Sequence, residues 1–282
     1  MPRVFRTFLL LALVALTTAL VFAACSDDDD DNGGNGGGGD IDISGVPELD
    51  DGVLNVGSEI AYAPFEFFEE GTETPDGLDI DLAKAIAAEL GVSVEFLNTG
   101  FDGIIPALDV EEFDVLISAM TITDARSEEI DFVPYITVGT GIVVPAGNPD
   151  GIASLDDLCG KTVAVQVGTI QFDMLEAQNE SCDTDVNIVV FDSNPLAVED
   201  LRTGGSDANF SDYPVAAEDA AVSGGELEVV NTQIAPENYG IGIRKTSTDL
   251  GTVIQAALDA IKADGTYAGI LADWDLPDIA LD

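Results

Sequence analysis

The side chains of this sequence that could do chemistry are few in kind. Its 282 residues contain no histidine, nine lysines and arginines, and 54 aspartates and glutamates, which gives a formal net charge of −45. Without histidine there is no Ser-His-Asp or Cys-His catalysis, no imidazole metal site and no histidine proton switch. A charge this negative also argues against nucleic-acid binding through phosphate contacts. Because acids are abundant, a basic residue inside a motif is the most informative candidate.

Arg126 is such a residue. It lies one helical turn after residues 113–120, an apolar segment typical of a strand, and therefore near that strand's carboxyl end. A guanidinium presents two parallel N–H donors that match the oxygens of a carboxylate. Arg126 is thus a candidate for binding a carboxylate ligand, and the alternative is a surface ion pair with Asp124 or Glu128.

Two other segments place polar groups at the junction of a strand and a helix. Gly168 and Thr169 precede a helix that is expected to begin near Gln171, and backbone amides at a helix start favour an anion. Asp212 ends a predicted strand and precedes Pro214, which suits the first turn of a helix. An unremarkable turn and an ordinary helix N-cap are the respective alternatives.

The elements that must position these residues alternate along the chain. Apolar patterning predicts strands at 53–57, 92–96, 113–120, 162–167, 186–191 and 207–210. It predicts helices at 81–90, 102–108, 171–179, 194–202 and 252–271, with a break at Gly265. Gly91 and Thr123 are placed as caps. This alternation predicts an α/β fold with mainly parallel sheets, which bind ligands at the carboxyl ends of their strands.

The first 48 residues read as an export and tethering region. Arg3 and Arg6 precede an uncharged run at 8–24, which predicts a signal peptide at 1–24; a permanent membrane anchor is the alternative. The Ala23-Ala24-Cys25 sequence resembles the lipobox of bacterial lipoproteins, although Phe22 stands where leucine is usual. That resemblance implies lipidation of Cys25, unless it is an incidental cysteine beside an ordinary cleavage site.

A flexible tether is predicted at 25–48. Five consecutive aspartates are followed by a glycine-rich stretch, and neither composition can build a core. The aspartate run lacks the spaced ligands of a calcium loop. The protein is therefore expected to be exported and to be held by its lipid at the outer face of a membrane.

Two cysteines other than Cys25 are present, Cys159 and Cys182. In an exported domain a pair of cysteines favours a disulfide over two free thiols. A metal site would need more ligands in a chain without histidine, so no metal or cofactor is expected.

Residues 49–276 contain an ordered set of motifs: LNVGSE at 54–59, YAPFEF at 62–67, GLDIDLA at 77–83, FDGIIPAL at 101–108, MTITDAR at 120–126, LCGKTVAVQ at 158–166 and KADGTY at 262–267. This set resembles the amino-acid-binding members of the bacterial extracellular solute-binding proteins, family 3. Members of that family are receptors that capture an amino acid outside the cell and present it to an ABC importer.

The resemblance implies a two-lobed α/β fold of the type II periplasmic-binding-protein kind, with hinges near 141–144 and 240–243. Lobe 1 would comprise residues 49–141 and 240–282, and lobe 2 residues 142–239. The implied partners are an amino-acid ligand and the permease of an ABC transporter, and the protein is expected to act as a monomer.

The resemblance also implies a set of ligand contacts. Arg126 would bind the α-carboxylate, supported by Thr121, the Ala119 backbone and the turn of Gly168 and Thr169, while Asp212 would bind the α-ammonium. Tyr62 and Phe101 would enclose the ligand side chain, although isolated aromatics are more often core residues. Ile170 departs from the hydroxyl or glycine common at its position. The implied ligand-binding residues are Tyr62, Phe101, Ala119, Thr121, Arg126, Gly168, Thr169, Ile170 and Asp212.

Selectivity is expected from Glu59, Gln166 and Ser211. An acid at residue 59 repels acidic ligands, which leaves polar neutral or cationic amino acids; alternatively Glu59 orients Arg126 or faces water.

Two further functions share this fold by resemblance. One is a prephenate or arogenate dehydratase with Glu59 as general acid, and the other is a sensor subunit that reports to a membrane receptor.

Overall fold

The computed structural model describes residues 41–230 and 233–281. The predicted signal peptide, Cys25 and most of the predicted tether lie outside the described residues. Residues 41–48, which we assigned to the tether, pack against the folded part instead: Val46 is 3% exposed, and Ile41 and Ile43 contact the same apolar cluster. The tether prediction is wrong for this short stretch, because its apolar side chains can be buried against the folded part.

Strands and helices alternate as the sequence predicts. The strands are β1 Val53–Ser58, β2 Phe67–Phe68, β3 Pro75–Asp76, β4 Ser93–Asn98, β5 Val115–Leu116, β6 Ile130–Pro145, β7 Thr162–Gln166, β8 Asn187–Phe191, β9 Ala208–Asp212, β10 Leu227–Val229 and β11 Ile234–Arg244. The helices are α1 Leu78–Leu90, α2 Ile104–Asp109, α3 Asp124–Glu129, α4 Ile170–Asn179, α5 Asn194–Arg202, α6 Tyr213–Val222, α7 Thr248–Asp264 and α8 Thr266–Asp273.

One sheet carries most of these strands, in the order β4-β1-β5-β11-β6-β9-β7-β8, with β10 beside β6. Strand β1 is parallel to β4 and β5, and β7 is parallel to β8 and β9. Strands β6 and β11 are antiparallel to each other and to the strands beside them. The expectation of mainly parallel sheets is therefore correct at the two ends and wrong at the centre, where the two long strands connect both halves.

The two halves have separate cores. A large cluster includes Leu54, Ile86, Tyr239 and Ile254, and a second one includes Ile142, Val163 and Phe210. Strand β6 contributes Val133 and Val138 to the first cluster and Ile142 and Val144 to the second. Two smaller clusters, around Ile104 and around Val198, complete the packing, so the architecture is α/β with separate apolar clusters on either side of the long central strands.

The capping residues predicted from the sequence mark the helix ends in the structure. Gly91 has φ +73° and closes α1 through its amide, and Thr123 Oγ1 accepts the amide of Arg126 at the start of α3. The strand predicted at 113–120 pairs only at Val115 and Leu116, because the chain then turns through Ala119 at φ +44°. This turn brings the following residues to the sheet edge.

The predicted disulfide between Cys159 and Cys182 is present, with their Cα atoms 5.5 Å apart. It joins the segment before β7 to the segment after α4. Across 41–230 and 233–281, none of the helices has both the length and the apolar content needed to cross a bilayer.

Candidate functional site

A cleft of about 300 Å³ of atom-free space lies at the carboxyl ends of β1, β5, β7 and β9. Ten of the twelve residues predicted from the sequence line it, and two further lining residues, Glu66 and Gln171, were not predicted. The lining residues are Glu59, Tyr62, Glu66, Phe101, Ala119, Thr121, Arg126, Gln166, Thr169, Ile170, Gln171 and Asp212.

Arg126 is the basic residue of the cleft. Its Nη1 donates to the Thr121 carbonyl at 2.6 Å and its Nη2 to the Gly168 carbonyl at 3.0 Å, and its guanidinium lies 5.4 Å from the centre of the Phe101 ring. It forms no ion pair with Asp124 or Glu128 in the described part of the chain. Burial lowers its pKa. Two carbonyls use only two of five N–H donors, so the guanidinium keeps donors for a carboxylate.

Asp212 is the principal acid on the opposite wall, at the last residue of β9. Its Oδ2 accepts the Tyr62 hydroxyl at 2.8 Å and its Oδ1 accepts Nε2 of Gln171 at 2.9 Å. The Asp212 amide in turn donates to the Tyr62 oxygen at 3.1 Å. Burial raises the pKa of Asp212 to about 6, although these hydrogen bonds favour the ionised form.

Tyr62 is expected, together with Phe101, to enclose the ligand side chain, and this role stays a prediction; in the structure its hydroxyl donates to Asp212. Gln171 was missed because it looks like an ordinary residue in the first turn of α4. The available signal was its position directly after the turn at 168–170, which points the start of that helix at the cleft.

Glu59 and Gln166 contact each other across the cleft. Gln166 Nε2 donates to Glu59 Oε2 at 2.6 Å, which joins the end of β1 to the end of β7. Burial raises the pKa of Glu59, while the hydrogen bond from Gln166 opposes that shift. The side chain of Glu59 thus faces the cleft as a partly buried acid rather than orienting Arg126.

The turn before α4 is built by Gly168 and Thr169. Gly168 has φ +74°, and a Cβ there would lie 3.2 Å from Asp102, so glycine suits this turn. Thr169 Oγ1 accepts the Phe172 amide and donates to the Gln166 carbonyl. Gly168 contributes its carbonyl to Arg126 and does not line the cleft. An anion contact of its amide stays a prediction.

Ser211 does not line the cleft. Its side chain is buried in β9, and its hydroxyl has no hydrogen-bond partner among the atoms described. Successive residues of a strand point to opposite faces, so the residue before Asp212 is directed away from the cleft. A direct role of Ser211 in selectivity is not supported by this placement.

Glu66 lies deep in the cleft and was not predicted. Its Oε1 accepts Oγ of Ser118 at 2.9 Å, and Ser118 Oγ also accepts the Glu59 amide at 2.9 Å. The sequence signal for Glu66 was an acid between two phenylalanines, Phe65 and Phe67, because a charged residue in an apolar segment needs a buried partner.

The arrangement suits a zwitterion. A guanidinium and a carboxylate, Arg126 and Asp212, lie on the same cleft and match the two charges of an α-amino acid. Glu59 and Glu66 add acids where a side chain would extend. Among the residues described, no three His, Cys, Asp or Glu side chains are grouped to hold a metal ion.

Comparisons with known proteins agree with this geometry. The model for bacterial extracellular solute-binding proteins, family 3, matches residues 54–277. The L-cystine-binding protein TcyJ of Escherichia coli (strain K12) is 31% identical over 225 residues, covering 79% of this chain and 82% of that protein.

Solved structures give the same result. An ancestral arginine-binding protein bound to arginine has 40% identity and a TM-score of 0.75, covering 79% of this chain and 98% of its own. The ancestral amino acid-binding protein AncCDT-1, a precursor of cyclohexadienyl dehydratase, has 38% identity and a TM-score of 0.73, covering 80% and 96%. These matches confirm the two-lobed α/β fold expected from the sequence.

Proposed function

Since the chain belongs to the bacterial extracellular solute-binding proteins, family 3, we propose that it binds an L-amino acid with a cationic or polar side chain between its two lobes. It then delivers that amino acid to the permease of an ABC importer. The observation that carries this proposal is the shared cleft of Arg126 and Asp212, with Glu59 and Glu66 beyond them. Relatives named for binding cystine and arginine support it.

The two ends of the ligand would have different partners. The carboxylate takes the free donors of Arg126 and is flanked by Thr121 and Thr169, while the ammonium takes Asp212. The side chain then passes Tyr62 and Phe101 toward the two glutamates. Acidic amino acids are excluded because their second carboxylate would face Glu59 without a cation to pair with.

Closure of the cleft would follow from bending of the long central strands. We place lobe 1 at 49–141 and 240–282 and lobe 2 at 142–239, with hinges near 141–144 and 240–243. The change of core along β6 supports these limits, because Val138 packs in the first cluster and Ile142 in the second. A ligand that contacts both lobes favours the closed form.

The test is isothermal titration calorimetry of the purified protein against all common amino acids and cystine. We expect binding of arginine, lysine, or a polar neutral amino acid, and none of glutamate or aspartate. Binding of acidic amino acids alone, or of no amino acid, would contradict the proposal.

A second candidate is a dehydratase acting on prephenate or arogenate. It is favoured by two observations, the likeness to the dehydratase precursor and the raised pKa of Glu59, which suits a general acid. Incubation with prephenate decides between them: aromatic product formation that Glu59→Gln abolishes would support the enzyme, and its absence alongside amino-acid binding would support the receptor.

Anchoring and assembly are proposed from the sequence. We expect Cys25 to carry a lipid that holds the monomer at the outer face of the membrane or in the periplasm. In cells, Cys25→Ser is expected to release the protein from the membrane fraction, and retention of the variant there would contradict lipid anchoring.

A further inference from the structure

Two carboxyl groups, that of Glu66 in the cleft lining and that of Asp79, lie within hydrogen-bonding reach of each other. Glu66 is 1% exposed and Asp79, the second residue of α1, is fully buried. Glu66 Oε1 accepts the Ser118 hydroxyl, while Asp79 Oδ2 accepts the Ala119 amide at 2.8 Å and the Tyr135 hydroxyl at 2.7 Å. One oxygen of each carboxyl is therefore satisfied.

The second oxygen of each carboxyl has no donor. Glu66 Oε2 and Asp79 Oδ1 are both buried, and no described N–H or O–H reaches either atom. Neither side chain pairs with a lysine or arginine in the ion pairs that the structure describes. Two adjacent ionised carboxylates without a cation repel each other and lose hydration, so full ionisation is strongly unfavourable.

One proton between these two oxygens resolves both problems, because it removes one charge and supplies the missing donor. Burial, and then the charge of Asp79, hold the pKa of Glu66 well above its usual range, and burial raises the pKa of Asp79 to about 6. Glu59 adds a further repulsive charge on Glu66. Tyr135 stays protonated, since burial and both acids raise its pKa.

The pair also contacts the part of the cleft where the ligand carboxylate is expected. Asp79 accepts the amide of Ala119, whose φ of +44° is unusual for a residue with a Cβ. Ala119 leads directly to Thr121, whose carbonyl positions Arg126. The hydrogen bond from Ala119 to Asp79 therefore holds the backbone that supports the guanidinium.

We propose that Glu66 and Asp79 share one proton and act as positioning residues, which hold the Ala119–Thr121 backbone and, through it, Arg126 in the shape that binds the ligand carboxylate. This inference rests on the proposed function only for its ligand. The proton shared by the two acids can be tested without any ligand.

The first experiment is infrared spectroscopy of the ligand-free protein at neutral pH, with [¹³C]-labelled Asp and Glu side chains. We expect a protonated-carboxyl band in the wild type that is lost in Glu66→Gln and in Asp79→Asn, because in each an amide replaces the shared proton's donor. The matched control Glu95→Gln removes an exposed acid and retains the band. Absence of the band in the wild type would overturn the shared proton.

The second experiment is titration calorimetry of Asp79 variants. Asp79→Ala removes the acceptor for the Ala119 amide. We expect this variant to lower the affinity for every amino acid that binds by about tenfold, the scale of one hydrogen bond to a charged group. Asp79→Asn keeps an acceptor oxygen for the Ala119 amide and is expected to restore most of that affinity. A purely structural role would lower stability without a uniform loss across ligands.

The outcomes separate the two proposals. If the wild type binds amino acids and Asp79→Ala binds them equally well, or Asp79→Asn is as weak as Asp79→Ala, the positioning role fails while the receptor function stands. If no amino acid binds the wild type, the function fails, and the infrared result still decides whether the two acids share a proton.

Discussion

At the scale of single residues, the cleft combines one strong cation with several acids whose burial makes each charge expensive. Arg126 has no acidic partner of its own in the described chain, and its two contacts are backbone carbonyls. A half-buried cation held by neutral groups can accept a carboxylate, since the ligand then supplies the missing negative charge.

We expect Arg126→Ala to weaken binding of every amino acid by about 2–5 kcal/mol, the scale for removing one partner of a buried charge pair. Arg202→Ala is the matched control, because Arg202 is a surface cation paired with Glu199 and Glu226 outside the cleft. Calorimetry that shows equal affinities for Arg126→Ala and the wild type would remove Arg126 from the site.

Glu59 is expected to set the preference between cationic and neutral ligands. Glu59→Gln keeps the size of the side chain and removes its charge, so the ratio of arginine to glutamine affinity should fall by about tenfold or more. Competition binding with both amino acids measures that ratio. An unchanged ratio would mean that Glu59 does not discriminate between ligands by the charge of their side chains.

We expect Asp212 to make ligand binding depend on pH. Its pKa in the free protein is about 6, so it is ionised above that pH and protonated below it. Binding of the ligand ammonium favours the ionised form. Affinity should therefore hold from pH 8 to 7 and fall by up to about tenfold per unit below pH 6.

Asp219 provides the control for this pH dependence. Its pKa is also about 6, raised by burial, yet it lies in α6 and accepts Asn194 Nδ2 outside the cleft. Asp219→Asn should leave the pH profile of binding as it is in the wild type. An affinity that does not change between pH 7 and 5 would contradict the role of Asp212.

At the scale of elements, the disulfide between Cys159 and Cys182 stabilises the second half of the molecule without lining the cleft. In the second half, the disulfide closes a segment of 23 residues that contains β7 and α4. β7, α4 and the turn between them present Gln166, Thr169, Ile170 and Gln171 to the cleft, so the covalent link restrains the segment that carries four lining residues.

Replacing both cysteines by serine is expected to lower the free energy of unfolding by about 3 kcal/mol, since an open loop of this length gains conformational entropy when unfolded. Chemical denaturation measures the loss, with the oxidised wild type in the same buffer as reference. Ligand affinity at moderate temperature should be retained, because neither cysteine lines the cleft. A variant as stable as the wild type would show that the bridge adds nothing.

At the scale of the whole molecule, the charge balance is the dominant feature. Cleavage after residue 24 would remove two arginines and no acid, leaving 7 basic against 54 acidic residues, or −47. Five of the seven cations form ion pairs in the described chain, and four of those five are on the surface. Most of the acidic residues therefore have no cationic partner, and their mutual repulsion destabilises the folded state.

We therefore expect the melting temperature to rise with salt between about 0.1 and 1 M KCl, because the screening length shortens from about 10 to 3 Å over that range. Screening also weakens the surface ion pairs, but each contributes little. Differential scanning calorimetry measures the trend, with sucrose at equal osmolality as control. A melting temperature that falls with KCl would contradict self-repulsion as the main effect of the charge.

The sequence alone determined those features that depend on residues near one another in the chain. Alternating strands and helices, the caps at Gly91 and Thr123, and the motif that carries Arg126 all follow from local spacing. The family resemblance named ten of the twelve residues that line the cleft, and six of those ten lie inside the quoted motifs.

Tertiary structure decided what depends on contacts between distant segments. The Tyr62 hydroxyl meets Asp212 across 150 positions, and Asp79 reaches the Ala119 amide across 40. No local pattern shows that Glu66 and Asp79 are buried together, or that Ser211 turns away while Asp212 turns in. The residues of a short segment determine its intrinsic preference for strand or helix. The environment of a carboxyl group, in contrast, depends on which distant elements pack around it in the folded protein.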